Sequence, residues 1–464
     1  MVDTAVAAAH IEREARALLA RLSRLTPFAL HETMVPAAMP SIDAQRAFEE
    51  YLARGRRELR ARVGAFLSWL LGPGMRASPP QLQRRFVFLR LRFNAVLSEF
   101  DVFANVLTQR SEHETGPWLA GLDVAASDAL TVPGYIVDPP PVMCYLDRGH
   151  GAAIRRVRAR LPGGGENPVA IVRIPRERMV GAGVASSLVH EVGHQAAALL
   201  DLTNSIRRVL QPVAAARSGD EALAWKLWTR WISEIVADFW ALARLGVTAT
   251  SGLMAIVNLP RPFVFHMAGD DPHPFPWIRS RLSCAMGAAI YPDPQWEQQA
   301  DLWSAFYPLG PDLTLQQRAV IAALERTMPE FVRRLVDHRP PALNGRSLAD
   351  GICSDERSPE PLRRRYRGWR DRFVVIRDEP PSLALAALGQ ARADGVVAPE
   401  HESRLIGDLL TYWALRRALP TTQFAVVRGA DRDGDPGLRD RQRRGGRHAE
   451  GQERATAAGT IATA

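Results

Sequence analysis

The sequence predicts a mainly α-helical fold with one small β-sheet. Two observations carry that prediction. Apolar residues recur at three- and four-residue spacing along most of the 464-residue chain, the period that gives a helix one apolar face. Short β-branched segments are confined to the stretch 135–175, where prolines and glycines interrupt the helical period. Length allows two or three domains, and 47% hydrophobic residues suit a globular protein with an ample core. The chain divides into an N-terminal helical domain (1–130), a central core (131–300), a C-terminal helical region (301–427) and a tail (428–464).

Residues 10–25 read as an amphipathic helix. Ser41 caps a second that runs to about 71, where Gly72-Pro73-Gly74 stops it. Residues 80–111 form a third, and its spacing of Phe86, Phe88, Phe93, Phe100 and Phe103 reads as core packing. Tyr135-Ile136-Val137 and residues 142–146 are short strand candidates, split by Pro139-Pro140-Pro141. Residues 168–175 form a further strand, bracketed by Pro168 and Pro175 and therefore expected at a sheet edge. An extended peptide can add to such an edge; an ordinary buried strand beneath the next helix accounts for the same residues. Residues 185–200 and 220–245 are two long apolar helices, and 314–338 and 381–419 are helical again, the latter broken near Gly395. No repeat of fixed period is present. From Arg428 the composition turns to Arg, Asp and Gly, then Ala and Thr, which predicts a disordered tail.

The most informative feature lies in the first central helix, where His190-Glu191-Val192-Gly193-His194 spells H-E-x-x-H. On a helix, positions i and i+4 differ by about 40° of rotation and ~6 Å of rise, so both imidazoles leave one face. Two imidazoles that close can share one Zn²⁺, while Glu191, one residue round the helix, reaches a water beside the ion. A core helix with hydrogen-bonded histidines is the plain alternative. Two His and a Glu among Leu188, Val189, Val192, Leu199 and Leu200 are, however, unfavourable without a partner. Ala197 and Leu200 stand where a metzincin carries Gly and a third His, which excludes that class. The third ligand must then be a carboxylate from elsewhere.

The second central helix offers one. Residues 220–245 are apolar on most sides and so predicted to be buried, yet Glu234 and Asp238 sit i,i+4 on one face. Neighbouring carboxylates repel unless a cation or donors lie opposite. Zinc on Glu234 and an imidazole N–H on Asp238 satisfy both. Glu221 is the rival ligand, but it opens the helix, where the dipole already favours an acid. Glu234 is the better candidate.

Glu234-Ile235-Val236-Ala237-Asp238 resembles the E-x-x-x-D of gluzincin metallopeptidases. It is most similar to the branch containing CAAX-prenyl endopeptidases and heat-shock membrane proteases, whose signature often has Ala before the Asp. Asp271-Pro272-His273-Pro274 with Arg279 resembles the H-P-x-x-x-x-R segment of that branch, so the likeness spans roughly residues 169–290. The resemblance implies a gluzincin-like metallopeptidase core embedded in the helical domains. It implies one Zn²⁺ per chain on His190, His194 and Glu234, with Glu191 as general base. It further implies that His273 faces the reacting carbonyl, that Arg279 braces the site and that Asp238 orients a ligand histidine. A turn histidine in a proline-rich loop is the other reading of His273. Two departures matter. Members of that branch usually carry transmembrane helices and none is visible here, so membrane substrates are not inherited. The 40-residue spacing from His194 to Glu234 is longer than in thermolysin-like enzymes and implies an inserted element.

Cys144, Cys284 and Cys353 lie far apart and are odd in number, against both a disulfide framework and a cysteine-based zinc site. The N-terminus lacks a basic-then-apolar signal pattern and no apolar run approaches a membrane span, so cytoplasmic residence is expected. The net charge of +9 comes almost wholly from arginine, with Lys226 the only lysine. Clusters such as Arg56-Arg57, Arg84-Arg85 and 363–367 read as solvated surface, and no clear nucleic-acid signature accompanies them. The expected activity is zinc-dependent hydrolysis of a peptide or protein substrate. The rivals are a non-catalytic helical interaction protein with a structural zinc, against which the intact Glu191 argues, and a basic nucleic-acid-binding protein. Oligomeric state is not legible.

Overall fold

A computed structural model describes residues 4–24, 34–148, 152–161, 164–176, 179, 181–369 and 372–432, with side chains as far as 419. The described chain is mainly helical with a three-stranded sheet, as expected. It opens with α1 (Thr4–Ser23), α2 (Ile42–Leu71) and α3 (Pro79–Thr108). Ser41 caps α2, its Oγ accepting from the Ala44 N–H at 3.2 Å, and Gln81 reaches back to the Ser78 N–H at 2.9 Å to start α3. The α2–α3 hairpin has two cores. Its inner half packs Phe48, Tyr51, Phe100 and Phe103 on the sheet residues Met143 and Ile171. Its outer half packs Leu59, Val63, Phe86 and Phe93 against Ile11 and Leu18 of α1.

After α4 (Thr115–Leu130) come β1 (Val142–Asp147), β2 (Ala153–Arg155) and β3 (Ala170–Pro175), in the order β1-β3-β2. β3 runs parallel to β1, pairing Val142 with Ala170, and antiparallel to β2. Two expectations change here. The proline-bracketed strand is the centre of the sheet and not its edge: Pro168 precedes the ladder and Pro175 ends it, so neither removes an interior donor. Short β2 is the edge facing away from β1. Tyr135-Ile136-Val137 forms no strand, only a lone bridge between Val132 and Ile136 around Gly134. The period-2 alternation does hold: Cys144, Leu146, Val172 and Ile174 face the main core, and Met143 and Ile171 face α2 and α3. A buried bidentate pair ties α4 to β1. Arg110 donates to Asp123 at 2.9 and 3.0 Å and to the Cys144 carbonyl at 2.8 Å, while the Cys144 N–H donates back to Asp123 at 2.8 Å.

The two predicted central helices are α5 (Ala182–Leu199) and α7 (Gly219–Leu245), packed against each other. The inserted element required by their spacing is α6 (Leu202–Ala215), which lies on α7. Leu199, expected among the buried apolar residues, is exposed at the end of α5. Next come α8 (Val247–Val257), α9 (Pro276–Ile290), α10 (Gln295–Phe306), α11 (Leu315–Val336), α12 (Pro359–Trp369), α13 (Pro381–Ala393) and α14 (Pro399–Arg432). Gly395, at φ +71°, separates α13 from α14. One hydrophobic core extends from Leu119 through the sheet, α5 and α7 to Trp413. The tail assigned from 428 continues α14 to Arg432 and beyond that lies outside the described residues. Among the described helices none is long and apolar enough to cross a membrane.

Candidate metal centre

The site forms where α5 crosses α7. A Cβ added to Gly193 would lie 2.9 Å from both Cα and O of Ala237, closer than real side chains approach. Gly193 and Ala237, interior positions of the two motifs, therefore set the helix separation. That close approach brings the Glu234 carboxylate of α7 to the imidazoles of α5. Glu234 Oε2 lies 3.3 Å from His190 Nε2 and 3.5 Å from His194 Nε2. The ligand atoms of His190, His194 and Glu234 all fall within 4.8 Å of one another. Trp225, Trp228 and Trp240 of the same helix are fully buried, and Glu234 itself is only 8% exposed.

The fit to a metal ion rests on one atom. Glu234 Oε2 is buried and makes no hydrogen bond, although imidazole nitrogens surround it. Two ligand atoms held ~2.0–2.1 Å from one tetrahedral Zn²⁺ are about 3.3–3.4 Å apart. The observed 3.3 and 3.5 Å match that spacing and are long for aligned N–H···O bonds. The donor set of two imidazoles and one carboxylate is a zinc set with room for a fourth position. Glu221 does not compete: it sits at the surface end of α7, 3.3 Å from Arg217.

Asp238, one turn on from Glu234, lies 2.8 Å from His190 Nδ1, a close charge contact in which the ring N–H is not well aligned. Its other side is gripped by Arg279 of α9, whose Nε and Nη2 donate to it at 2.8 and 2.9 Å. Burial disfavours charge on all of these groups, but their mutual attraction prevails. Asp238 is held well below the ordinary carboxylate range by Arg279 and His190. Glu234 is held far below it by the three histidines. His190 is held up at about 9 by Asp238 and Glu234. Glu191 differs: burial raises its pKa, and the Glu234 charge adds to this against the pull of His190 and His194.

The sequence-predicted His273 enters the same cleft from the loop before α9. Its Nε2 is 3.2 Å from Glu234 Oε2, and its Nδ1 is 2.7 Å from Asp271. Asp271 also accepts the His273 backbone N–H at 2.9 Å, a local turn that fixes the ring. The sequence alone assigns no role to Asp271 or Gly193. An Asp two residues before a candidate histidine, and a Gly inside the H-E-x-x-H, were the available signals. Glu191, His190, His273 and Arg279 line a cavity of about 120 Å³. His273 and Arg279 also form one wall of an apolar groove of about 660 Å³, floored by Leu227, Trp231, Phe263 and Phe275. No protein-family model, curated protein or solved structure matches the chain.

Proposed function

We propose that this protein is a zinc-dependent peptidase of gluzincin type. The observation that carries the proposal is the unbonded Glu234 oxygen at zinc-ligand spacing from two imidazoles, one residue from a buried glutamate that lines a cavity. When bound, Zn²⁺ would supply Lewis acidity, lowering the pKa of a water toward ~7 and polarising a carbonyl. Glu191, made more basic by burial, takes a proton from the attacking water and returns it to the leaving amine. His273, its ring oriented by Asp271, donates to the developing oxyanion. Asp238 and Arg279 hold the His190 ring in register. The apolar groove beside His273 suits a bulky apolar substrate side chain. A purely structural zinc requires neither a buried base nor an open cavity beside it.

The test pairs metal content with turnover. Purified protein should carry about one Zn²⁺ per chain, and His190→Ala or His194→Ala should lose it. Glu191→Gln should keep the metal and lose cleavage of a mixed peptide library, because the amide cannot accept a proton. Wild-type turnover in Glu191→Gln removes it as the base; metal without turnover in either protein leaves a structural zinc.

A further inference from the structure

The outer half of the α2–α3 hairpin carries a charge pattern that the metal site does not explain. Between residues 54 and 92 stand Arg54, Arg56, Arg57, Arg60, Arg62, Arg76, Arg84, Arg85, Arg90 and Arg92, against the single acid Glu58. Most of these arginines are exposed. Arg56 has an interaction partner, the others make no ion pair among the described residues, and Arg85 and Arg90 lie over the Trp69 and Phe86 rings. The cationic surface is not purely polar. Phe88 and Leu91 are 62% and 59% exposed, and Leu71 and Met75, at the turn between the helices, are 56% and 57% exposed.

Helical geometry sharpens the point. On α3, Leu82, Phe86 and Phe93 face the core shared with α1. Residues 84, 88, 91 and 95 follow one another at i+3 and i+4 on the opposite side. Phe88 and Leu91 thus occupy the middle of the solvent face, flanked by Arg84, Arg85 and Arg92. An ordinary solvated helix face would place polar residues there.

We propose that this hairpin end docks on an anionic lipid surface. Clustered cations attract anionic headgroups, and isolated apolar side chains between them enter the headgroup–acyl boundary. A nucleic-acid partner would use the arginines, but phosphates give exposed Phe88, Leu91, Leu71 and Met75 nothing to contact. The hairpin end has its own core, shared with α1 and distinct from the one around the α5–α7 crossing. The proposal does not rest on the peptidase reading.

The test is flotation of the full-length protein with vesicles of phosphatidylcholine alone or with about 30 mol% phosphatidylserine. Binding is expected only to the anionic vesicles and should weaken with salt. Removing a surface cation costs about fivefold, so Arg76→Ser with Arg84→Ser should reduce binding roughly 25-fold. Phe88→Ser with Leu91→Ser, which leaves the charge intact, should also reduce it several-fold; both residue pairs are exposed, and unchanged circular dichroism verifies the fold. Equal binding to neutral and anionic vesicles, or no binding to either, overturns the proposal. So does unaltered binding by the Phe88/Leu91 variant. Duplex DNA binding that is tighter than vesicle binding and insensitive to the apolar pair would assign the surface to nucleic acid instead.

Discussion

Gly193→Ala tests the helix crossing on which the proposed metal site depends. Considered locally, the change should help: alanine in a helix interior is favoured over glycine by about 1 kcal/mol. The tertiary structure reverses the sign. The new Cβ would stand 2.9 Å from Ala237 Cα and O and 3.0 Å from Trp240 Cβ. Carbon–carbon contacts relax near 3.5 Å, so α5 and α7 must separate by about 0.6 Å. Overpacking of this kind costs about 1–3 kcal/mol, which equals or exceeds the propensity gain. The proposed metal site is more sensitive still. His190 and His194 ride on α5 and Glu234 on α7, while zinc–ligand distances tolerate only about 0.2 Å. Zinc affinity should fall by at least tenfold, even where the thermal midpoint drops only a few degrees. Competition with a chromophoric chelator measures the first quantity and thermal unfolding of the metal-free protein the second. A variant that binds zinc as tightly as the parent and melts at the same or a higher temperature would refute the argument that Gly193 sets the crossing distance.

Further outcomes follow from the surrounding groups. Asp238→Asn leaves the buried Arg279 guanidinium without its bidentate partner; stability should fall by about 3–5 kcal/mol in urea titrations, and Asp238→Asn with Arg279→Met should recover part of it. Glu221→Gln should keep full zinc content by elemental analysis whereas Glu234→Gln should not, and equal retention in both would reopen the ligand assignment. His338 sits 2.7 Å from Ser205 Oγ, and burial, reinforced by Arg208, holds its pKa below 6.5. The fold therefore prefers the neutral ring. Its contribution is present above the unfolded value, ~6.5, and is lost as pH falls through and below it. Urea midpoints measured from about pH 7.5 down to about 5 should decline, and His338→Gln should flatten the curve.

The sequence alone determined the elements whose physics is local. Ser41 marked the start of α2 because an N-cap needs only its own next turn, and Gly395 marked the α13–α14 break because a positive φ is a one-residue requirement. The pairing of His190 with His194, and of Glu234 with Asp238, was legible because i,i+4 spacing is a property of any helix. What the sequence could not decide depends on neighbours distant in the chain. β3 became the central strand because β2, only three residues long and without a β-branched run, found its free side. Helices α4 and α8, apolar on nearly all sides, show little periodicity because they are packed from several directions. Glu234 and not Glu221 faces the imidazoles because only mid-helix α7 lies at the crossing, and that crossing exists because Gly193 has no side chain to hold Ala237 away. The exposed Phe88 and Leu91 look in sequence like two more core aromatics and aliphatics. Only the packing of α3 against α1 and α2 shows that they are turned outward, since those neighbours cover the face of Leu82, Phe86 and Phe93 and leave the opposite face to the surroundings.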